Sequence, residues 1–241
     1  MITLRRAKER YHDRGRKQEV WLTFHPQARA DPFANGFGAL EILDEDRLAP
    51  GGYCATHPDH DADIVTYVRE GALAYNDSVG RSGVIHAGEF QRTTTVGRGS
   101  HHTETNASRT DGAHVFQIWL RSAQAGLDPG QEQKRFSAAE RRGRLCVVAS
   151  PDARAGSLRV HEDALLYSAM LAPGKHVVHE LGPGRRAWLH LVEGEATLGD
   201  VVLSSGDGAG LAAERAVSLT AREQTEILLV DLGDERPASS S

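Results

Sequence analysis

The sequence predicts an all-β fold divided between two domains, and three observations lead to this expectation. Short alternations of apolar and polar residues, bounded by Gly, Pro, Asp and Asn, recur at the spacing of about 8 to 12 residues that is typical of β-sandwiches and barrels. Apolar residues with the 3.6-residue period of an amphipathic helix are scarce. The length of 241 residues allows two domains of about 110 residues, each with its own core.

Nine segments have the composition of strands, and short Gly- and Pro-containing segments separate them. The predicted strands are residues 37–43, 64–70, 71–75, 84–86, 115–120, 145–149, 164–171, 188–193 and 227–232. Residues 77–80, 173–174, 181–184 and 205–208 are expected to form turns, because glycine adopts positive φ without strain and proline fixes φ. The chain is therefore expected to fold as a series of hairpins.

The segment between residues 123 and 144 is polar and lacks strand alternation. It contains the turn pair Pro129-Gly130 and a short helical segment in which Ser137 is the expected N-cap and Glu140 its reciprocal partner. We interpret this segment as the connection between the domains. The predicted boundaries are residues 1–125 for an N-terminal domain, 126–144 for a linker and 145–236 for a C-terminal domain.

The two halves of the sequence resemble each other over short stretches. Residues 67–73 parallel residues 191–197, and residues 86–89 parallel residues 204–207. In both halves a strand ends in an acidic residue and glycine, a hairpin follows, and a glycine-acidic turn comes next. A duplicated barrel explains this pattern better than one continuous sandwich does.

Charge and composition disfavour several classes of function. The net charge is −5 with the two signs interspersed, so we expect no direct binding of nucleic acid. No apolar run approaches the roughly 18 residues that a membrane-spanning helix needs. The first 17 residues are basic without an apolar stretch, so we expect no secretory signal and a cytoplasmic location. Cys54 and Cys146 are too few for a disulfide framework and are expected to be thiols.

Two short segments combine a histidine with a carboxylate two residues later. They are His57 with Asp59, and His102 with Glu104. Residues i and i+2 of a strand face the same side, so two such strands across a barrel could bring four ligands to one point. Imidazole and carboxylate without thiolate suit Fe(II), Mn(II), Ni(II), Cu(II) or Zn(II), and the sequence does not choose among them. The pattern is compatible with one divalent metal ion with open coordination positions, but exposed His-x-Asp and His-x-Glu pairs are also common on polar loops, so the pattern alone leaves the metal site open.

The remaining histidines near these segments and in the second half are not expected to be ligands. His60 and His101 alternate away from the proposed site. His176, His179 and His190 are not accompanied by paired i, i+2 histidines and a following His-x-Glu. We expect these three to have a structural role.

The order of these motifs resembles that of the pirin family. The family signature runs Gly-x-His-Pro-His, a strand ending in Glu-Gly, Asp-Ser-x-Gly, Gly-x-Gly-x-x-His-Ser-Glu-x-Asn and Gln-x-Trp. The matching segments here are Thr56-His57-Pro58, Glu70-Gly71, residues 77–80, residues 97–106 and Gln117-Ile118-Trp119, in the same order and without a large gap. The likeness extends through the second half and covers nearly the whole chain. The resemblance implies two cupin barrels of the jelly-roll type, with a metal ion held by three histidines and one glutamate in the N-terminal barrel.

His57, His102 and Glu104 match three of the four family ligands, and the fourth position departs from the pattern. Asp59 replaces the second histidine of His-Pro-His, and His60 follows it. Asp59 could bind the metal directly, a bulge could turn His60 inward, or metal binding could be weak. We favour direct ligation by Asp59, because strand alternation directs His60 away. A second carboxylate would shift preference toward Mn(II) or Fe(II) over Cu(II).

The resemblance implies an oxygenase of the quercetin 2,3-dioxygenase type, which opens a flavonol ring with O2. Glu104 would then be the catalytic proton acceptor for a planar aromatic substrate, provided that it detaches from the metal or binds it loosely. Phe90, Phe116, Val68 and Leu120 are candidates for the apolar wall of its pocket, although alternation does not decide which of them face inward.

Two other functions stay open from the sequence. One is a non-catalytic, metal-dependent regulatory module that binds a protein partner, and Asp59 favours it. The other is a relative without metal that binds a small molecule.

Overall fold

The computed structural model describes residues 1–26, 31–54, 61–77, 80–96, 102–122 and 127–233. Within these residues the chain is almost entirely β-strand. One four-residue α-helix, α1 (Ala138–Arg141), and two 3₁₀ turns at Ala7–Glu9 and Arg154–Gly156 are the described helical elements. No helix in these ranges is long and apolar enough to cross a membrane.

The chain divides into two compact units. The N-terminal unit comprises Tyr11–Gly36 and Leu40–Phe136, and the C-terminal unit comprises Met1–Arg10, Phe37–Ala39 and the chain from Ser137 onward. Each unit contains one seven-stranded sheet and one smaller sheet, and apolar residues of both sheets meet between them. The all-β, two-barrel fold expected from the sequence is confirmed.

The described residues of the N-terminal unit form ten strands. Its larger sheet has the order β11-β8-β5-β10-β4-β3-β2, and its smaller sheet has the order β7-β6-β9. The strands are β2 (Tyr11–Arg14), β3 (Gln18–Leu22), β4 (Leu40–Leu48), β5 (Ala62–Glu70), β6 (Ala72–Asp77), β7 (Ser82–His86), β8 (Glu89–Thr95), β9 (His102–Asn106), β10 (Ala113–Arg121) and β11 (Gly130–Arg135).

The C-terminal unit repeats this plan. Its sheets have the orders β1-β19-β16-β21-β14-β12-β13 and β15-β20-β17-β18. The strands are β1 (Ile2–Arg5), β12 (Cys146–Ser150), β13 (Leu158–Arg159), β14 (Ala164–Leu171), β15 (His176–Glu180), β16 (Arg186–Glu193), β17 (Glu195–Leu198), β18 (Val201–Ser204), β19 (Gly208–Ala212), β20 (Ala216–Ala221) and β21 (Thr225–Leu232).

The internal resemblance read from the sequence corresponds to matching turns in the two units. Gly71 joins β5 to β6 at φ 77°, and Gly194 joins β16 to β17 at φ 89°. The glycine-acidic turns also match. Glu89 Oε2 accepts a hydrogen bond from the backbone N–H three residues earlier at 2.7 Å, and Asp207 Oδ2 does the same at 3.1 Å. The sequence similarity between the two halves therefore corresponds to equivalent hairpins in the two units.

The predicted domain boundaries differ from the division in the structure. β1 pairs with β19, so the first residues of the chain belong to the C-terminal unit. β11 lies inside the predicted 126–144 linker, yet it pairs with β8 and completes the N-terminal sheet. β1 is thus supplied to the C-terminal barrel from the opposite end of the sequence, while β11 extends the N-terminal unit to Phe136. Neither strand was predicted, because β1 is only four residues long and β11 has a polar composition without the apolar alternation that identifies a strand.

Eight of the nine predicted strands are observed with ends within two residues of the prediction, and the described chain contains further strands, such as β1, β3 and β11, that were not predicted. The strand predicted at residues 164–171 is observed with those ends, and Ser137 caps α1 by accepting from the Glu140 N–H as expected. The strand predicted at residues 37–43 instead runs from Leu40 to Leu48. It continues through the acidic residues Asp44, Glu45 and Asp46, all of which are buried.

Candidate metal centre

Glu104 is the predicted ligand whose side chain the structure describes. It lies in β9 opposite Tyr75 of β6, and only 7% of it is exposed. Directly opposed residues of antiparallel strands project to the same side of the sheet. Tyr75 packs against the apolar cluster between the two sheets, so Glu104 also faces the interior of the N-terminal barrel.

Side chains from the opposite sheet contact both carboxylate oxygens of Glu104. Thr66 Oγ1 of β5 donates to Oε1 at 3.2 Å, and Gln117 Nε2 of β10 donates to Oε2. Thr66 and Gln117 are register partners on adjacent strands. Trp119 Nε1 in turn donates to Gln117 Oε1 at 3.2 Å. The four side chains form a buried polar layer across the barrel.

Cys54 adds a thiol to the same region. Its backbone N–H donates to the Glu104 carbonyl oxygen at 3.0 Å, and its side chain is hydrogen-bonded to the Glu104 carboxylate. Burial raises the pKa of the Cys54 thiol well above its usual value, and the negative charges of Asp46, Glu104 and Asp44 raise that pKa further. Cys54 is therefore a neutral donor at neutral pH rather than a thiolate ligand.

Apolar residues surround the polar layer on both sides. Toward one end of the barrel lie Ala62, Ile64 and Trp119 with Ile42 packed against them. Toward the other end lies the cluster of Leu48, Cys54, Val68, Leu73, Ile85, Ala113 and Val115. Glu104 and its partners thus lie in an interior from which bulk water is largely excluded.

The candidates for a substrate wall are only partly supported by the register. Val68 lies on the interior face, two residues from Thr66, as the expectation requires. Phe116 neighbours Gln117 in β10 and therefore faces the opposite side, where it packs with Tyr67, which itself stacks on Phe90. Leu120 shares the alternation of Phe116. Phe90, Phe116 and Leu120 therefore do not line the Glu104 side of the sheet.

Two of the predicted ligands fall outside the described residues, and a third is described in part. His57 and Asp59 lie outside the described residues, and so does the alternative ligand His60. For His102, the backbone begins β9 opposite Asp77, two residues before Glu104. Within the described ranges, no three His, Cys, Asp or Glu side chains are placed to hold a metal ion. The ligand set of His57, Asp59, His102 and Glu104 stays a prediction.

The C-terminal barrel has leucines at the positions of the polar layer. Thr66 lies five residues before Gly71, and Leu189 lies five residues before Gly194. Gln117 pairs with Thr66, while Leu229 pairs with Leu189. Tyr75 lies four residues after Gly71, and Leu198 lies four residues after Gly194. Glu104 pairs with Tyr75 and Leu219 pairs with Leu198, so Leu219 occupies the position of Glu104.

Leu189, Leu219 and Leu229 are at most 1% exposed. These three positions offer no metal ligands, and the expectation that the second barrel does not hold metal stays a prediction.

The histidines of the second half make contacts of a structural kind where their bonds are described. His176 Nε2 lies 2.9 Å from Ser218 Oγ on an exposed surface. His179 Nε2 lies 2.7 Å from Asp231 Oδ2, and Arg185 Nε donates to the other oxygen of Asp231 at 2.6 Å. His190 is fully buried in β16. The bonds of His176 and His179 join β15 to β20 and to β21, and they fit the structural role expected of these two residues.

Sequence reasoning did not assign a role to Thr66, Gln117, Trp119 or Cys54. The Gln-x-Trp motif could have indicated that Gln117 and Trp119 act together, because residues i and i+2 of a strand face the same side. Gln117 and Trp119 lie on the face of β10 that is directed toward Glu104 of the other sheet. The sequence does not show this, because it contains neither the register between β5 and β10 nor the position of β9 opposite them.

Two jelly-roll units with the same strand order, one of which carries a buried polar layer around a glutamate, define a bicupin with a candidate metal centre in its N-terminal barrel. Residues 5–120 match the family described as Pirin, and residues 147–232 match the family described as quercetinase C-terminal cupin domain. The chain belongs to the pirin family, as its motifs indicated.

Similar proteins cover nearly the full chain. A protein of Escherichia coli strain K12 named quercetin 2,3-dioxygenase is 40% identical over 232 residues, which is 96% of this chain and 99% of that protein. A Caulobacter vibrioides protein named pirin-like protein is 33% identical over 83% of this chain and 86% of its own length. The bacterial pirin YhhW from Escherichia coli, solved in complex with nickel(II), has a TM-score of 0.87 at 39% identity and covers 97% of this chain and 100% of its own.

Proposed function

We propose that this chain is a metal-dependent dioxygenase that opens the ring of a flavonol such as quercetin with O2. The observation that carries the proposal is Glu104, buried among hydrogen-bond donors at the position of a pirin-family ligand. The relative named quercetin 2,3-dioxygenase, at 40% identity over 96% of this chain, supports the same reaction class. Under this proposal the substrate is a planar aromatic molecule with an acidic hydroxyl group.

The metal would be held by His57, Asp59, His102 and Glu104. The donors described around Glu104 fit this role, because the Thr66 hydroxyl and the Gln117 amide are neutral and leave the carboxylate charge available to a cation. One divalent ion is proposed, and Fe, Mn, Ni, Cu and Zn all suit this mixed ligand set. When bound, such an ion makes a coordinated hydroxyl more acidic and offers a site for reaction with O2.

The residues of the chain would orient the substrate and accept its proton. Glu104 is the proposed acceptor of the hydroxyl proton, and Thr66 and Gln117 keep its two oxygens in fixed positions. The apolar layers on either side exclude bulk water, which strengthens electrostatic interactions at the carboxylate. The carboxylate is therefore the central group of the proposed reaction.

The test is O2 consumption by metal-loaded protein with quercetin, compared with Glu104→Gln. We expect O2 uptake by the wild type that depends on both metal and quercetin. The variant, compared at equal metal content, should be slower by about 10²- to 10⁴-fold, because it lacks the proton acceptor and one of the proposed metal ligands. Glu180→Gln is the matched control, since Glu180 is an exposed carboxylate in β15, and it should retain full activity. Stoichiometric metal without O2 uptake would contradict the proposal and favour a non-catalytic, metal-dependent regulatory module.

A further inference from the structure

The hydrogen bonds from Trp119 to Glu104 run in one direction. An indole N–H can only donate, so Gln117 Oε1 is the group that faces Trp119 Nε1, 3.2 Å away. The amide nitrogen of Gln117 must then face Glu104, to which it donates. If the amide were reversed, two N–H groups would oppose each other at Trp119, and the amide oxygen would oppose the carboxylate. Trp119 therefore fixes the amide of Gln117 as a donor to Glu104.

The donors to Glu104 are held on a rigid framework. Gln117 and Thr66 lie opposite each other on β10 and β5, which are neighbouring strands inside the larger sheet. Gln117, Thr66 and Trp119 are 1%, 2% and 0% exposed, so none of the three side chains has room to change rotamer freely. One donor from the larger sheet contacts each carboxylate oxygen, and the Cys54 thiol is a further hydrogen-bond partner of the carboxylate. Thr66 and Gln117 together set the plane and the direction of the Glu104 carboxylate.

The barrel fold itself does not require this polar layer. The C-terminal barrel has Leu189, Leu219 and Leu229 at the positions of Thr66, Glu104 and Gln117. A buried amide is costly unless it is hydrogen-bonded, whereas leucine at the same position contributes apolar burial. The polar side chains therefore serve a purpose other than packing.

We infer that Gln117, oriented by Trp119, is a positioning residue that fixes the Glu104 carboxylate for metal binding, with Thr66 holding the other oxygen. This inference rests on the metal site of the proposed function but not on the reaction with O2. Residues that hydrogen-bond to metal ligands typically alter metal affinity by about 10- to 100-fold when they are replaced.

The test is the dissociation constant for Ni(II), measured by titration against a competing chelator, for the wild type and Gln117→Leu. Leucine occupies the corresponding position in the second barrel, so the metal-free variant should fold. Its thermal midpoint should fall, because Trp119 Nε1 and the Glu104 carboxylate each lose a hydrogen-bond partner. We expect the dissociation constant to rise by about 10- to 100-fold and the absorption spectrum of bound Ni(II) to change.

Gln91→Leu is the matched control. Gln91 is also 1% exposed and pairs with Thr66 from β8, but its amide donates to Gln133 Oε1 at 3.0 Å rather than to Glu104. This control also removes a buried amide from the same sheet, so it separates a general loss of packing from a loss of carboxylate positioning. Its Ni(II) affinity should stay within about 3-fold of the wild type.

Two conservative variants keep the inference testable if Gln117→Leu does not fold. Trp119→Phe removes the N–H that orients the amide, and Thr66→Val removes the second donor with little change in volume. Each should weaken Ni(II) binding by about 3- to 10-fold. Unchanged affinity and spectrum in all three variants, an equal loss in Gln91→Leu, or a wild type that binds no Ni(II) would overturn the inference. Normal Ni(II) binding without O2 uptake would contradict only the proposed function.

Discussion

At the scale of single residues, polar and charged side chains are buried in the N-terminal barrel where the second barrel has leucine. Thr66, Glu104 and Gln117 are each less than a tenth exposed, and each has a described hydrogen-bond partner. Burial of such groups is tolerated only when they are hydrogen-bonded or paired with a cation. The concentration of these residues at the position of a family metal ligand is the main residue-scale argument for a metal centre there.

The two cysteines are expected to differ in reactivity. Cys54 is buried and its pKa is raised by burial and by neighbouring carboxylates, while Cys146 is partly exposed. Because the thiolate is the reactive form, Cys54 should stay protonated and unreactive at pH 8, where an ordinary thiol begins to ionise. Labelling with a thiol-specific chromogenic disulfide should modify Cys146 alone in the native wild type.

The control for this prediction is Cys146→Ser. This variant should show almost no labelling until denaturant is added, after which Cys54 should react fully. Rapid labelling of the native variant would show that Cys54 is not enclosed as described.

At the scale of elements, the strand-to-strand turns impose strict requirements on glycine. Gly71 and Gly194 adopt positive φ, and a β-carbon at either position would collide with a carbonyl oxygen of a neighbouring segment. Gly71→Ala and Gly194→Ala should each lower the free energy of unfolding by about 1–3 kcal/mol. Gly174 also has positive φ but has open space around it, so Gly174→Ala should cost less. Urea unfolding checks all three, and equal costs would contradict the steric explanation.

The attachment of the first strand to the C-terminal unit depends on Asp207. This buried carboxylate accepts from Arg6 NH1 at 2.8 Å, from the Ala7 N–H at 2.7 Å and from the Ser204 N–H at 3.1 Å. Asp207→Ala should lower the free energy of unfolding by about 2–3 kcal/mol, because these donors lose their partner. The exposed Asp200→Ala should change it by less than about 0.5 kcal/mol. An equally small effect at Asp207 would show that β1 is held by its strand pairing alone.

The sequence predicted strands better than it predicted their partners. Apolar segments bounded by turn residues identified the strands that became β5, β10, β14 and β21. β14 alternates between buried and half-buried residues, whereas β5, β10 and β21 are buried at nearly every position. The sequence did not show that β1 joins the C-terminal sheet or that β11 completes the N-terminal sheet. Pairing of edge strands depends on hydrogen bonds between distant backbone segments, and these leave little trace in residue pattern.

For the candidate site, the sequence predicted the ligand Glu104 but not the residues that contact it. The spacing of His102 and Glu104 and the family motifs indicated ligands, and the structure places Glu104 in the barrel interior. The donors Thr66 and Gln117 were not assigned, and Phe90 and Phe116 were considered for a pocket wall that they do not form. In both cases the face of the strand had to be known, and alternation alone leaves two choices.

At the scale of the whole molecule, two barrels with one strand order differ in their interiors. The leucines of the C-terminal barrel supply a continuous apolar core, while the N-terminal barrel combines apolar packing with a polar layer. Of the two barrels, the N-terminal one has the donors and the carboxylate suited to a metal ion. On this account the chain binds one metal ion rather than two.

The most direct measurement of the central claim is the metal-to-protein ratio of the purified chain, for the wild type beside His102→Ala and Asp59→Ala. A ratio near one in the wild type, lost in both variants while their thermal unfolding stays cooperative, is the predicted result. It would place the single metal ion in the N-terminal barrel and assign the fourth ligand to Asp59. A wild type without metal, or a ratio near one that persists in His102→Ala, would contradict the account.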